Sequence, residues 1–256
     1  MATQATIPAL ASLAISFSVI LHSPARAEKG NDHSWQFSFS PYVWGSKLEG
    51  DVATLPPAEP ARVDVSFSDI LENLDIAVMA IGQIHRDRFG FWGDVFYSKL
   101  SADGETRDQF FSDADYDQTL AFVTGGGSFR IVNRDFLNVD LLAGARWTYL
   151  DNKFDLEAGS LPGRNRHENE DWLDTLLGIS GRVEMGASWY ASGWAMTGVT
   201  GDSDTMHDLF GGLGYEFGTA RSLIAGYRYI KVDYENGDFL YDVELSGPMA
   251  GFTFRW

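Results

Sequence analysis

The chain ends in Phe252-Thr253-Phe254-Arg255-Trp256, a stretch in which aromatic and polar residues alternate up to the last position. Successive side chains of a strand point to opposite sides of the sheet, so this is a strand with two chemically different faces. One face reads backwards as Trp256, Phe254, Phe252 and Ala250, the other as Arg255, Thr253 and Gly251. Termini of soluble domains are usually polar and frayed. Three aromatics on one face of the closing strand therefore point to an apolar surrounding outside the sheet.

The same alternation recurs through the chain. Val139, Leu141, Ala143, Ala145, Trp147 and Tyr149 share one face, with Asn138, Asp140, Gly144, Arg146 and Thr148 on the other. Leu173, Leu177, Ile179 and Val183 are likewise set against Asp174, Gly178, Ser180, Arg182 and Glu184. Ten strands are predicted, at about 35–44, 76–85, 89–101, 115–132, 136–151, 171–185, 188–199, 206–217, 222–234 and 243–256. Eight strands would remain if one hairpin stood clear of the rest. Short turns (Arg86-Asp87-Arg88, Asn133-Arg134-Asp135, Gly186-Ala187, Thr219-Ala220-Arg221) alternate with longer polar stretches around 51–75, 102–114, 152–170, 200–205 and 235–242. Short turns on one rim and long loops on the other are the arrangement of an all-β, antiparallel up-and-down transmembrane β-barrel. A soluble periplasmic sandwich or lipocalin-like barrel would also alternate, with its apolar face inward. The inward set here would then be Asp140, Arg146, Asp174, Arg182, Glu216 and Arg228, charges of both signs that suit a lumen better than a core.

The other end of the chain agrees. Residues 7–21 form an uncharged apolar run followed by Ala25-Arg26-Ala27, the pattern of a signal peptide cleaved after Ala27, although no Lys or Arg precedes the run. The run is too short to span a bilayer as a helix, and the other reading is an interfacial helix. The expected organisation is a signal peptide over 1–27 and one barrel domain over 28–256. The chain is 14% aromatic, carries 27 glycines and has no cysteine, so disulfide and thiol chemistry are excluded. A formal charge of −17 disfavours nucleic acid as a partner.

Phe39-Ser-Pro-Tyr-Val-Trp44, Val63-Asp-Val-Ser-Phe-Ser-Asp-Ile-Leu71 and Phe91-Trp-Gly-Asp-Val-Phe-Tyr-Ser98 resemble a group of small proteobacterial outer-membrane proteins, broadly similar to the outer membrane protein A and W type barrels. The resemblance implies a location in the bacterial outer membrane, lipids and lipopolysaccharide as surroundings, and Phe252, Phe254 and Trp256 as the insertion signal read by the barrel assembly machinery. It transfers no chemistry.

Four features are candidates for function. Ser66 can cap a helix whose apolar stripe is Phe67, Ile70, Leu71 and Leu74, at i, i+3, i+4 and i+7. The helix is expected to cap the barrel mouth, with the outer leaflet as its other resting place. The six lumen charges are expected to form a salt-bridge network that fills a barrel of this width, the other reading being a narrow passive path for ions or small solutes. The acidic loop residues, among them Asp113, Asp115 and Asp117, could hold a divalent cation or bridge to lipopolysaccharide phosphates, although the glycine and terminal Glu of a calcium loop are missing. A rim hydrolase would centre on His207 with Asp204 and Asp208. The sequence lacks the Asp-x-His of the omptin proteases and the His-x-Ser of the lipid A deacylases. The expectation is a non-enzymatic envelope barrel that needs no cofactor.

Overall fold

The structure, a computed structural model, describes residues 34–54, 60–105, 111–158, 163–186 and 188–256. The segment read as a signal peptide lies outside these residues. The elements are β1 (Gln36–Trp44), β2 (Lys47–Ala53), β3 (Ala61–Val65), α1 (Phe67–Glu72), β4 (Leu74–Arg86), β5 (Phe89–Glu105), β6 (Phe111–Arg134), β7 (Leu137–Ala158), β8 (Arg164–Gly186), β9 (Trp189–Gly201), β10 (Thr205–Glu216), β11 (Arg221–Asn236) and β12 (Phe239–Arg255).

Ten of these strands, β1 and β4 to β12, close an antiparallel barrel in sequence order. The terminal strand makes the closure. β12 pairs with β1 through Phe39↔Phe254 and Val43↔Ala250, and Phe37 and Trp256 exchange both backbone hydrogen bonds, at 3.1 and 3.2 Å. Their rings stack with centroids 6.2 Å apart. Beyond Trp44 the chain steps past Gly45 and Ser46 and continues along the upper half of β12 as β2, onto which β3 folds back. These two strands are additional to the ten, in a stretch the sequence marked only as polar loop.

Glycines let the wall curve tightly. On β6 and β7, Gly126 and Gly144 are paired, and a Cβ on Gly126 would stand 2.1 Å from the Ala143 carbonyl oxygen. No larger residue permits that approach.

The predicted long loops are mostly strand. β7 runs to Ala158, β8 starts at Arg164, and β11 and β12 meet at a tight turn where Gly237 has φ 61°. The reason is a change of solvent along each strand. Near the short turns the outward residues are apolar and exposed, as at Leu141, Leu177 and Leu213, while the inward ones include Asp140, Arg182 and Glu216. Higher on β11 and β12 the outward side chains become Lys231, Asp233, Asp242 and Glu244, and the inward ones Val232, Tyr234, Tyr241 and Val243. Outward polar groups belong in water, so the barrel clears the bilayer at the level of Tyr227 and Tyr229. From Leu137 to Tyr149 the outward face of β7 rises about 40 Å at ~3.3 Å per residue, or about 30 Å along the membrane normal at a ~40° tilt. Exposed Trp35, Phe89, Trp189, Phe217 and Trp256 ring the lower rim, and Trp147 and Tyr227 stand near the upper one. That is the distribution of interfacial aromatic girdles.

Candidate functional site

The lumen is built in three tiers. At the short-turn end, which faces the periplasm, the charges are partly exposed. Arg182 donates to Glu184 and Glu216, both at 2.6 Å, and Arg255 donates to Glu216 at 3.0 Å. The Arg182 guanidinium lies 3.4 Å over the Tyr190 ring. On the adjoining strands β6 and β7, Arg130 holds Asp140 through two bonds, of 2.9 and 3.2 Å.

The middle tier is fully buried. Arg228 on β11 donates to Asp208 on β10 through Nε (3.1 Å) and Nη2 (2.7 Å), to Asp94 on β5 (2.6 Å) and to the Tyr42 hydroxyl on β1 (2.9 Å). Tyr42 donates in turn to Asp94 at 2.9 Å. Arg146 on β7 donates to Asp208 through Nη2 and to Thr124 through Nε, the latter at 2.7 Å. Trp194 adds a bond to Asp208 at 2.8 Å. Two guanidinium and two carboxylate groups thus balance each other inside a cage of Tyr42, Trp44, Phe122 and Trp194, over whose rings the Arg228 guanidinium sits at 5.2–5.8 Å. Such charge-assisted, planar contacts suit arginine rather than lysine. Beside the cluster lies a cavity of about 50 Å³ lined by Gln83, Trp92, Leu142 and Ser180 among others, enough for a few waters.

The upper tier is a buried apolar cluster. Trp172 stacks on Tyr234 at 4.4 Å and meets Tyr241 at 5.9 Å, in one cluster with buried Leu150, Leu176, Ile230 and Val243. Its polar inclusions are bonded in part: Tyr116 donates to Asn152 at 2.6 Å and Tyr234 to Glu170 at 3.1 Å. Burial, with the Glu170 carboxylate adding to it, pushes the Tyr234 phenol up to about 12.

All six lumen charges anticipated from sequence face inward, in separate groups. Arg146 and Arg228 join the central cluster, and Arg182 with Glu216 the lower one. Asp140 pairs with Arg130, and Asp174 caps the turn between β9 and β10, accepting from the Ser203 amide (3.0 Å) and hydroxyl (2.9 Å). Sequence reasoning missed Asp94, Asp208, Tyr42 and Trp194 as members of the cluster. Asp94 was legible, because it shares a face of β5 with Trp92 and Phe96.

The hydrolase constellation does not assemble. His207 and Asp208 are neighbours on a strand and point to opposite faces: His207 bonds Thr197 at 3.0 Å on the outside, while Asp208 is committed to the arginines within. Asp204 sits in the turn, its amide bonded to the Asp233 carbonyl at 2.8 Å. In α1, Ser66 caps the helix and exchanges bonds with Asp69 in a capping box. The Phe67 ring packs over Gly45, Phe67 and Leu71 stay 44% and 55% exposed, Ile70 is half-buried and Leu74 opens β4. Asp115 and Asp117 line the outward side of β6, where the single Ser101 hydroxyl is shared between Asp117 (2.5 Å) and Asp75 (2.7 Å); the Asp113 side chain lies outside the described ones. Among the described residues no three acidic or histidine side chains are placed to hold a metal ion.

An apolar outward belt, two aromatic rims and a polar lumen define an integral β-barrel of the bacterial outer membrane. The fold is similar to that of the outer membrane protease OmpT from Escherichia coli, with a TM-score of 0.56 at 8% identity over 87% of this chain and 96% of that one. Looser similarity is found to the translocator domain of the autotransporter NalP from Neisseria meningitidis (TM-score 0.49, 12% identity, 88% of this chain and 89% of that one). It is looser still to the attachment invasion locus protein Ail of Yersinia pestis (TM-score 0.36, 11% identity, 88% and 99%). No family model matches the sequence, and no curated protein is similar to it.

Proposed function

We propose that this barrel is a closed envelope protein with a structural or interaction role rather than a conduit. The observation that carries the reading is the Arg146–Asp208–Arg228–Asp94 cluster, which ties β5, β7, β10 and β11 together across the lumen beneath an apolar stopper. An ion entering from the periplasmic end would have to displace guanidinium–carboxylate bonds and then lose its hydration among Leu150, Trp172 and Val243, a costly transfer. The surface offered for interaction is the upper part of β5 to β8, which rises clear of the bilayer on polar outward faces.

Planar-bilayer recording on the purified, refolded protein tests this. A closed barrel gives no discrete steps above the lipid baseline. Steady, reproducible steps from the wild type would establish the narrow-channel reading instead.

A further inference from the structure

Just above the lipid-facing belt, β7 and β8 present outward a group of side chains that the lumen does not use. Trp147 and Tyr149 stand two residues apart on β7, their rings 6.0 Å apart and inclined by 21°. The Trp147 indole N–H donates to Asp171 Oδ2 at 2.9 Å, and the Tyr149 hydroxyl donates to Asp151 Oδ2 at 3.1 Å. His167 Nε2 is 2.8 Å from that same Asp151 oxygen, and Lys153 lies across the ladder from His167. On the other flank the β6 residues opposite Trp147, Tyr149 and Asp151 are Val123, Ala121 and Thr119, too short to cover the rings. Trp147 stays 41% exposed.

An interfacial aromatic normally turns its polar end to headgroups or water. Here both polar ends are tied to carboxylates of the protein, which fixes the rings, and Trp147 keeps part of its surface open. Flat aromatic faces stack on the C–H faces of sugars. Carboxylate oxygens accept from sugar hydroxyls, and cationic Lys153 suits a phosphate substituent. The patch also continues downward into the lipid belt through exposed Leu173 and Leu177. We propose that it binds the saccharide headgroup of an outer-leaflet glycolipid, whose acyl chains lie along those leucines. The proposal rests on the outer-membrane reading and is independent of whether the lumen is closed.

The test uses the full barrel inserted in phosphatidylcholine vesicles, titrated with deacylated lipopolysaccharide oligosaccharide and followed by tryptophan fluorescence. Wild type is expected to bind saturably, and Trp147→Ala and Asp171→Asn each to weaken binding about tenfold. Tyr149→Phe, which keeps the ring, should stay close to wild type. Heat-modifiable migration of each variant shows that the barrel is intact, and Asp171→Asn, nearly isosteric, remains informative if Trp147→Ala does not fold. A wild type that ignores the oligosaccharide, or variants that bind it as wild type does, would overturn the proposal. A chain that does not insert into vesicles at all would instead refute the membrane reading beneath it.

Discussion

Replacing Arg228 by Met separates the charge cluster from its arithmetic. The side chain is fully buried and supplies two bonds to Asp208, one to Asp94 and one to Tyr42. Methionine fills much of the same stem volume, so little of the effect comes from a cavity. What changes is charge: two buried carboxylates then share the single guanidinium of Arg146, and Asp94 keeps only the Tyr42 hydroxyl. Breaking one side of a buried ion pair costs about 3–5 kcal/mol, because the remaining charge has no water to return to. We expect a loss of that size in reversible urea unfolding of the vesicle-inserted barrel, read by heat-modifiable migration and tryptophan fluorescence. Adding Asp94→Asn restores neutrality, and the double variant should recover about half of the loss. Lys47→Met at the solvent-facing Lys47–Glu49 pair is the control and should cost under about 1 kcal/mol. If Arg228→Met unfolds within about 1 kcal/mol of wild type and the double variant is no better than the single one, the cluster does not hold the strands as argued.

Two further outcomes follow from particular atoms. Gly126→Val should lower stability by more than about 2 kcal/mol or prevent refolding, since its Cβ would meet the Ala143 carbonyl oxygen at 2.1 Å, whereas Gly127→Ala has only the Gly90 carbonyl oxygen, at 3.9 Å, to accommodate; equal urea midpoints would contradict this. Above the membrane, bonds from Ser101 and Lys99 hold the Asp75 carboxyl below its ordinary range. A carboxyl depressed by folding favours the folded state above its unfolded pKa and loses that contribution as pH falls through the folded one. Amide exchange at the upper ends of β4 and β5, corrected for intrinsic rates, should therefore speed up as pH is lowered below the usual carboxylate range. Asp75→Asn should abolish the dependence, and an unchanged dependence in that variant would assign it to another group.

The outward face of this barrel was legible because lipid leaves a strict record on it. The period-two alternation over Leu137–Tyr149 and Leu173–Val183 gave the right faces, and Phe252–Trp256 marked the closing strand. The upper ends of β7 and β8 were hidden because residues 152–158 and 164–170 read as loop polarity, and so did Asp242 on β12, although Tyr241 and Val243 alternate with it. The start of α1 was visible in Ser66 and its apolar spacing, but its end was not. Asn73 closes the helix, and Leu74, counted as the fourth residue of the stripe, belongs to β4. Partner choice inside the lumen was the least accessible. Arg146 lies directly across the ladder from Asp174, yet its guanidinium reaches Asp208, 62 residues away in sequence. Alternation tells which side of a wall a charge is on, and carries nothing about which opposing strand the closure brings to it.

The two reversals of polarity constrain each other. On β11 the outward side changes from Leu223, Ala225 and Tyr227 to Lys231 and Asp233, while the inward side changes from Ser222, Ile224 and Arg228 to Ile230, Val232 and Tyr234. Either change alone could be accidental. Their coincidence means that charged side chains point mainly inward where the wall faces lipid and outward where it faces water. Below the boundary no hydrophobic gain comes from facing inward, since lipid is as apolar as any core. The lumen there can be bound together by ion pairs without forfeiting burial. Above it, water surrounds the wall, and a polar lumen would leave the strands with nothing to bury. The stopper of Trp172, Tyr234, Tyr241 and Val243 is thus the hydrophobic core that the protruding strands need to stand in water. The closed lumen proposed above would then follow from the same requirement that keeps those strands folded.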